Sequence, residues 1–369
     1  MSSRRDPLTG AGPVRRGEEL DLDSLTAWLA QRIPGLTGPP SVTQYAGGAS
    51  NWTYRLEYPD HDLVLRRPPA GTKARSAHDM GREYRIQKAL RPVYPLVPEV
   101  LVHCVDRDVI GDEFYVMRRV PGMILRRRPP EGHRLSAETC RRLCLRAVDA
   151  LATLHEVDPA TTDLASFDRG PGYPRRQIDG WCSRYVKART WNVPSFNSVR
   201  RWLDRHTPDD VASCLIHGDF RLDNLVLDPE TPERVLAVLD WEMSTVGDPL
   251  MDLGNSLAYW VQADDDRIGR STRRQPTDLP GMLTRRELVD AYLERSGRVR
   301  PANWTFYEVY GLFRLAVIVQ QIYYRYHHRQ TRNTAFKHFW LLVWYLDRRC
   351  RKLIRTSRQP AARQRTRTQ

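Results

Sequence analysis

Leu215-Ile216-His217-Gly218-Asp219-Phe220-Arg221-Leu222-Asp223-Asn224-Leu225-Val226-Leu227 places a polar loop between two apolar strands. A further apolar pair, Val238-Leu239, then leads into Asp240-Trp241-Glu242. Short apolar runs of this kind read as buried strands, and a loop between them presents its side chains at the strand ends. Asp219, Asn224 and Asp240 are therefore expected as three oxygen donors on neighbouring strand ends.

Two carboxylates and a carboxamide are hard donors of the kind Mg²⁺ takes while keeping the rest of its shell for phosphate and water. Asn224 and Asp240 are the expected metal ligands, and ATP the expected phosphate donor. Phosphoryl transfer passes through a loose transition state, so the protein contributes positioning and charge more than covalent chemistry. Asp219 would orient an acceptor hydroxyl and take its proton, an effect of about a hundredfold or more.

The loop resembles that of the aminoglycoside phosphotransferase and choline kinase family: His-Gly-Asp, Asn five residues after the Asp, then an apolar strand ending in Asp. The likeness is greater to a branch associated with acyl-CoA dehydrogenases. It rests on His217 to Asn224 (HGDFRLDN), Leu239 to Glu242 (LDWE) and Gly247 to Gly254 (GDPLMDLG), and extends from about Val42 to Tyr345. The resemblance implies an α+β, bilobal protein-kinase-like fold: a small antiparallel β-sheet N-terminal lobe with one main helix and a larger, mostly helical C-terminal lobe. It also implies a phosphate-covering turn at Ala46 to Asn51, where Gly47 and Gly48 admit close backbone approach and Ser50 adds a hydroxyl donor. Arg66, in Leu63-Val64-Leu65-Arg66-Arg67-Pro68-Pro69, aligns with the position where the family has Lys. Arg is always charged and forked, so the exchange is not geometrically conservative. Glu83 is the acidic partner expected for it, and Met117 sits on the strand before the hinge that would bind adenine. His217 is expected to hold the loop rather than react, and Asp248 and Asp252 to cap exposed N–H groups.

Outward from this loop, Val42–Tyr45, Trp52–Tyr58, Leu63–Arg66, Val100–Val105 and Glu113–Arg119 read as about five antiparallel strands, with a helix at Ser76–Leu90 between the third and fourth. A leading helix carries Leu25, Trp28 and Leu29, with a cap at Asp23 and a close at Gly35. After Pro121-Gly122 the periodicity turns helical, from Ser136 through Leu154. Later helices are predicted at Ile178–Trp191, Pro249–Trp260, Thr284–Arg295, Trp304–Tyr326 and Asn333–Ile354, the third opening on a Thr284-x-x-Glu287 capping box. The expected division is a disordered tail over 1–19, a nucleotide-binding lobe over 20–121, a catalytic and acceptor-binding lobe over 122–355 and a disordered basic tail over 356–369.

The charge is uneven. Residues 300–369 hold fifteen Lys and Arg against Glu308 and Asp347, whereas the whole chain carries +14, so the first 299 residues are nearly neutral. A basic acceptor region favours a neutral or anionic small-molecule hydroxyl acceptor over a polycation; the implied branch chemistry is a hydroxy acid or hydroxyacyl-CoA. Aminoglycoside, macrolide and choline-type acceptors remain alternatives. Two other classes stay open: a nucleotide-binding pseudokinase, from Arg66, and a nucleic-acid-binding module using the basic tail, which lacks a zinc finger or an aromatic stacking motif. The six cysteines show no CxxC pair and read as free thiols. Trp304 to Tyr324 carries Glu308, Arg314, Gln320 and Gln321, which suits a core helix rather than a membrane span. With no signal-like start visible, a cytoplasmic chain is expected.

Overall fold

The computed structural model describes residues 6, 8–45, 51–69 and 79–357. The chain falls into two compact units. Unit 1 comprises 1–165, 221–244 and 279–282; unit 2 comprises 166–220, 245–278 and 283–369.

Unit 1 begins with β1 (Ala11–Gly12), helix α1 (Leu22–Ala30), β2 (Ser41–Tyr45), β3 (Trp52–Glu57), β4 (Asp62–Arg67), α2 (Met80–Leu90), β5 (Val100–Cys104), the short α3 (Arg107–Ile110) and β6 (Phe114–Arg118). These strands form one antiparallel sheet in the order β1-β2-β3-β4-β6-β5. Side chains alternate across it, as the two-residue period of a strand requires. Tyr54, Leu56, Leu63, Leu65, Phe114 and Val116 pack with Leu25 and Leu29 of α1. Val64, Tyr115 and Met117 point to the other face and pack with Met80 of α2. Burial on both faces explains the nearly continuous apolar reading of β4.

The sheet has a sixth strand because residues 8–19, part of the leading segment expected to be disordered, are tied down. Ala11 and Gly12 pair with Tyr45 and Gln44, the Arg15 N–H donates to Gln44 Oε1 at 2.9 Å, and the Tyr54 hydroxyl donates to Glu18 O at 2.7 Å. The α1 cap also differs from expectation. Asp21, whose side chain accepts from the Ser24 N–H, is the N-cap, Asp23 lies in the first turn, and the helix ends at Ala30. For α2 the cap is Asp79, and 76–78 lie outside the described residues.

Helix α4 (Ala137–Leu154), capped by Ser136, also groups with unit 1. The chain then passes through α5 (Tyr173–Ala188), α6 (Asn197–Arg205) and β7 (Cys214–Ile216) of unit 2, and returns to unit 1 as an antiparallel ribbon of β8 (Leu225–Leu227) and β9 (Val235–Val238). A Cβ on Gly122 would lie 2.5 Å from Val226 Cγ1, and Met123 exchanges backbone hydrogen bonds of 2.8 Å with Leu227. On the other side of the break after residue 121, the Val238 N–H donates to Leu96 O at 2.8 Å, so contacts join the ribbon to residues on both sides of it.

In unit 2, β7 pairs with β10 (Thr245–Gly247), and helices α7 (Pro249–Ala258), α8 (Arg267–Ser271), α9 (Arg285–Ser296), α10 (Trp304–His327) and α11 (Phe339–Ser357) follow. The Thr284–Glu287 capping box is present at α9. The final predicted helix begins later than expected, because Asn333 caps a short 3-10 turn at Thr334–Phe336 first. The acidic run Asp264-Asp265-Asp266 is engaged: Asp265 takes two bonds from Arg285, at 2.7 and 2.8 Å, and Asp266 caps α8. All six cysteines are free, five of them buried and Cys182 partly so. No helix among the described residues is long and apolar enough to cross a membrane.

Candidate active site

Unit 1 assembles a buried ion cluster from elements distant in sequence. Arg66, next to last in β4, is 9% exposed, and Glu83, in the first turn of α2, is 1% exposed. Their side chains meet at 3.3 Å, which is the ion pair expected from the sequence. The same guanidinium donates to Asp240 Oδ1 at 3.0 Å and lies 4.0 Å from Glu242 Oε2. Burial by itself would lower the Arg66 pKa, but Glu83, the Tyr115 phenol, Asp240 and Glu242 together hold it well above the ordinary value. Burial pushes the Glu83 carboxyl up, and Arg66 pulls it back. One cation therefore holds three carboxylates in a small volume, an arrangement that costs desolvation and persists only when geometry compensates.

Asp240 lies two residues beyond the end of β9, in the left-handed region with φ 70° and ψ 63°. Such a conformation is uncommon for a residue with a Cβ and clusters at functional sites. Asn224, 8% exposed, immediately precedes β8, and its carbonyl accepts from the Leu239 N–H at 2.8 Å. The pairing of Leu225 with Val238 thus brings Asn224 and Asp240 to one end of the ribbon. Trp241 closes the base of this end: it is 1% exposed and donates through Nε1 to Val238 O at 2.8 Å. Glu242 accepts from Asn51 Nδ2 at 3.0 Å, and Arg82 donates to the carbonyls of Glu242 and Ser244. Asp223 is partly buried beside Arg221 at 3.3 Å, and desolvation raises its pKa.

Unit 2 holds the Asp219 loop. His217 is fully buried, and its Nδ1 accepts from the Asp219 N–H at 3.2 Å, a structural role as expected. Gly218 takes φ 79°, a conformation that glycine enters without strain. The backbone N–H groups of His217 and Gly218 each donate to Asp252 of α7 at 2.8 Å, and the Gly218 carbonyl accepts from Arg314 of α10 at 2.7 Å. Of the two carboxylates expected to be caps, Asp248 is one, accepting from Leu250 and Met251 at 2.9 Å. Asp252 instead clamps the loop.

The phosphate-turn residues Gly47, Gly48 and Ser50 lie outside the described residues. Met117 is 6% exposed and packs with Val64, Met80 and Tyr115. The motifs by themselves assign no site role to Arg314 or Glu242. The available signal for Arg314 was a lone arginine inside an apolar helix, since a buried charge needs a partner.

Residues 41–288 match the phosphotransferase enzyme family. Acyl-CoA dehydrogenase family member 11 of Rattus norvegicus is 38% identical over 317 residues, which is 84% of this chain and 40% of that protein. Member 10 of Mus musculus is 38% identical over 315 residues, 85% of this chain and 29% of that protein. The chain therefore spans well under half of either relative. A solved structure from Ralstonia eutropha, described as a candidate aminoglycoside phosphotransferase, superposes with TM-score 0.77 at 30% identity, covering 92% of this chain and all of that one. The fold is shared with aminoglycoside phosphotransferase APH(4)-Ia in a ternary complex with AMP-PNP and hygromycin B, at 13% identity and TM-score 0.55 over 91% of this chain and 99% of that one. The chain belongs to the phosphotransferase enzyme family, a family of small-molecule kinases with a kinase-like α+β fold.

Proposed function

We propose that this chain transfers the γ-phosphoryl group of ATP to the hydroxyl of a small anionic acceptor, a hydroxy acid or a hydroxyacyl-CoA, with Asp219 as the catalytic carboxylate. The observation that supports it most is the Arg66–Glu83–Asp240 cluster beside Asn224, which gathers phosphate-binding and metal-binding chemistry at one end of a two-stranded ribbon. Arg66 is already charged and fixed, so it can meet a phosphate without paying for ordering. A carboxamide and a carboxylate oxygen suit Mg²⁺, and Asn224 and Asp240 would hold it. When bound, that ion would neutralise charge on the triphosphate.

In the transfer, the acceptor oxygen forms a bond to the γ-phosphorus as the bond from that phosphorus to the ADP oxygen breaks. The hydroxyl proton passes to the Asp219 carboxylate. Gly47, Gly48 and Ser50 are assigned to cover the phosphates, and Met117 and the backbone after it to line the adenine site. The choice of acceptor follows from the basic 300–369 segment and from likeness to two acyl-CoA dehydrogenase family members.

A coupled ADP-release assay with Mg-ATP across 3- and 4-hydroxy acids, their CoA esters, choline and aminoglycosides tests this. Turnover should be fastest on the anionic set, and Asp219→Asn should lower it by about a hundredfold or more while ATP still binds. Faster turnover of the cationic set would overturn the acceptor assignment. ATP binding with no ADP release from any acceptor would mark a pseudokinase.

A further inference from the structure

Trp181 and Arg184 lie three residues apart on α5, on one face of the helix. The Arg184 guanidinium carbon stands 4.5 Å from the Trp181 ring centroid, and that of Arg314 stands 5.2 Å from the same ring. One indole, itself 6% exposed, thus serves two cations. Arg314 is buried and faces inward, bonding the Gly218 carbonyl one residue before Asp219. Burial works against its charge, and the phenols of Tyr310 and Tyr259, the Asp219 carboxylate and the Tyr173 phenol outweigh that effect.

Arg184 is different. Its side chain is exposed, and its guanidinium makes no ion pair and no hydrogen bond among the described residues. It lies back along the helix, near where a Cβ of Gly180 would be, with Nη1 at 3.5 Å from that point. Two like charges sharing one ring repel each other, and the carboxylate of α7, Asp252, is committed to two backbone N–H groups of the Asp219 loop. The ring's negative face holds each guanidinium in place and restricts its motion. What results is a pre-oriented fork with donors to spare, joined through Trp181 and Arg314 to the Asp219 loop. A carboxylate or phosphate oxygen pair is the group that matches such a fork.

We propose that Arg184, held on Trp181 beside Arg314, binds an anionic oxygen group of the acceptor whose hydroxyl is presented to Asp219. This rests on the assignment of Asp219 made above. The anion could come from the free carboxylate of a hydroxy acid or from the phosphates of a carrier thioester. Both sources present the same chemistry to the guanidinium.

Three probes separate them: 3-hydroxybutyrate, 3-hydroxybutyryl-CoA and the uncharged N-acetylcysteamine thioester of 3-hydroxybutyrate. In the full chain, Arg184→Gln should lower the ratio of kcat/KM for an anionic probe over the neutral thioester about tenfold, mainly through KM, and Arg184→Lys should recover part of it. A fall confined to the free acid identifies a carboxylate; a fall confined to the CoA ester identifies a phosphate. Equal changes on charged and neutral probes, or no change, overturn the proposal. If the unaltered chain releases no ADP from any probe, the phosphotransfer assignment fails. The subsite is then decided by ligand-observed NMR of 3-hydroxybutyrate and CoA: binding that Arg184→Gln removes sustains it, and binding absent or indifferent to the change overturns it. Where the unaltered chain does turn over, Asp219→Asn, run alongside, should lower turnover by about a hundredfold or more without altering that binding.

Discussion

Arg66 is central to unit 1, because its guanidinium neutralises Glu83 at 3.3 Å, where burial leaves little access to water. Arg66→Met would leave an uncompensated buried carboxylate and should lower stability by about 3–5 kcal/mol, read from the urea midpoint of tryptophan fluorescence. The sign with pH follows from the Glu83 pKa, raised first by burial. The stability that a raised carboxyl contributes is complete below its ordinary value and is lost as pH rises through the folded-state value. Removing Arg66 raises that value further, so the gap between the parent chain and Arg66→Met should widen from about pH 4 to about pH 7. A gap that narrows over this range would show that Arg66 and Glu83 are not coupled. At this scale the sequence made the pairing of Arg66 with Glu83 legible through motif position. It did not show Glu242 or Arg314, whose partners lie far away along the chain.

Among elements, the close approach of α7 and α10 sets the geometry of the Asp219 loop, since Asp252 rides on one helix and Arg314 on the other. The approach depends on two glycines. A Cβ on Gly311 would lie 2.0 Å from the Gly254 carbonyl oxygen, and one on Gly254 would lie 2.5 Å from the Tyr307 oxygen. Backbone cannot yield as a side chain does, so Gly311→Ala should cost about 1–3 kcal/mol and lower kcat with the Tm. Gly180, inside α5, meets only the flexible end of Arg184; Gly180→Ala should raise stability by up to about 1 kcal/mol. Thermal melts of the two variants check both signs, and equal effects would refute the packing argument. Caps and periodicity exposed most helices in advance, yet nothing local distinguished the glycine that separates two helices from one that merely weakens its own.

On the scale of the whole molecule, each unit has a carboxylate pinned by two arginines. Asp62 takes bonds from Arg55 at 2.8 and 3.0 Å and from Arg119 at 2.7 Å. Asp265 takes two from Arg285, with Arg349 at 3.8 Å. Burial would raise both pKa values, but the arginine contacts lower them. Their contribution is present above the ordinary aspartate value and is lost as pH falls through the depressed one. Between about pH 5 and about pH 3, the Tm of Asp265→Asn should therefore fall less than that of the parent chain; an equal fall would refute the coupling. The sequence alone determined the family and the order of five strands and one main helix in the first part of the chain, and it singled out the loop residues Asp219, Asn224 and Asp240, because local period and motif spacing are short-range properties. Only the tertiary structure decided that Asp240 pairs with Arg66, that Asp252 and Arg314 hold the loop and that residues 11–12 complete a sheet. Those contacts join segments tens to more than a hundred residues apart, and burial and charge select them once the chain has closed on itself.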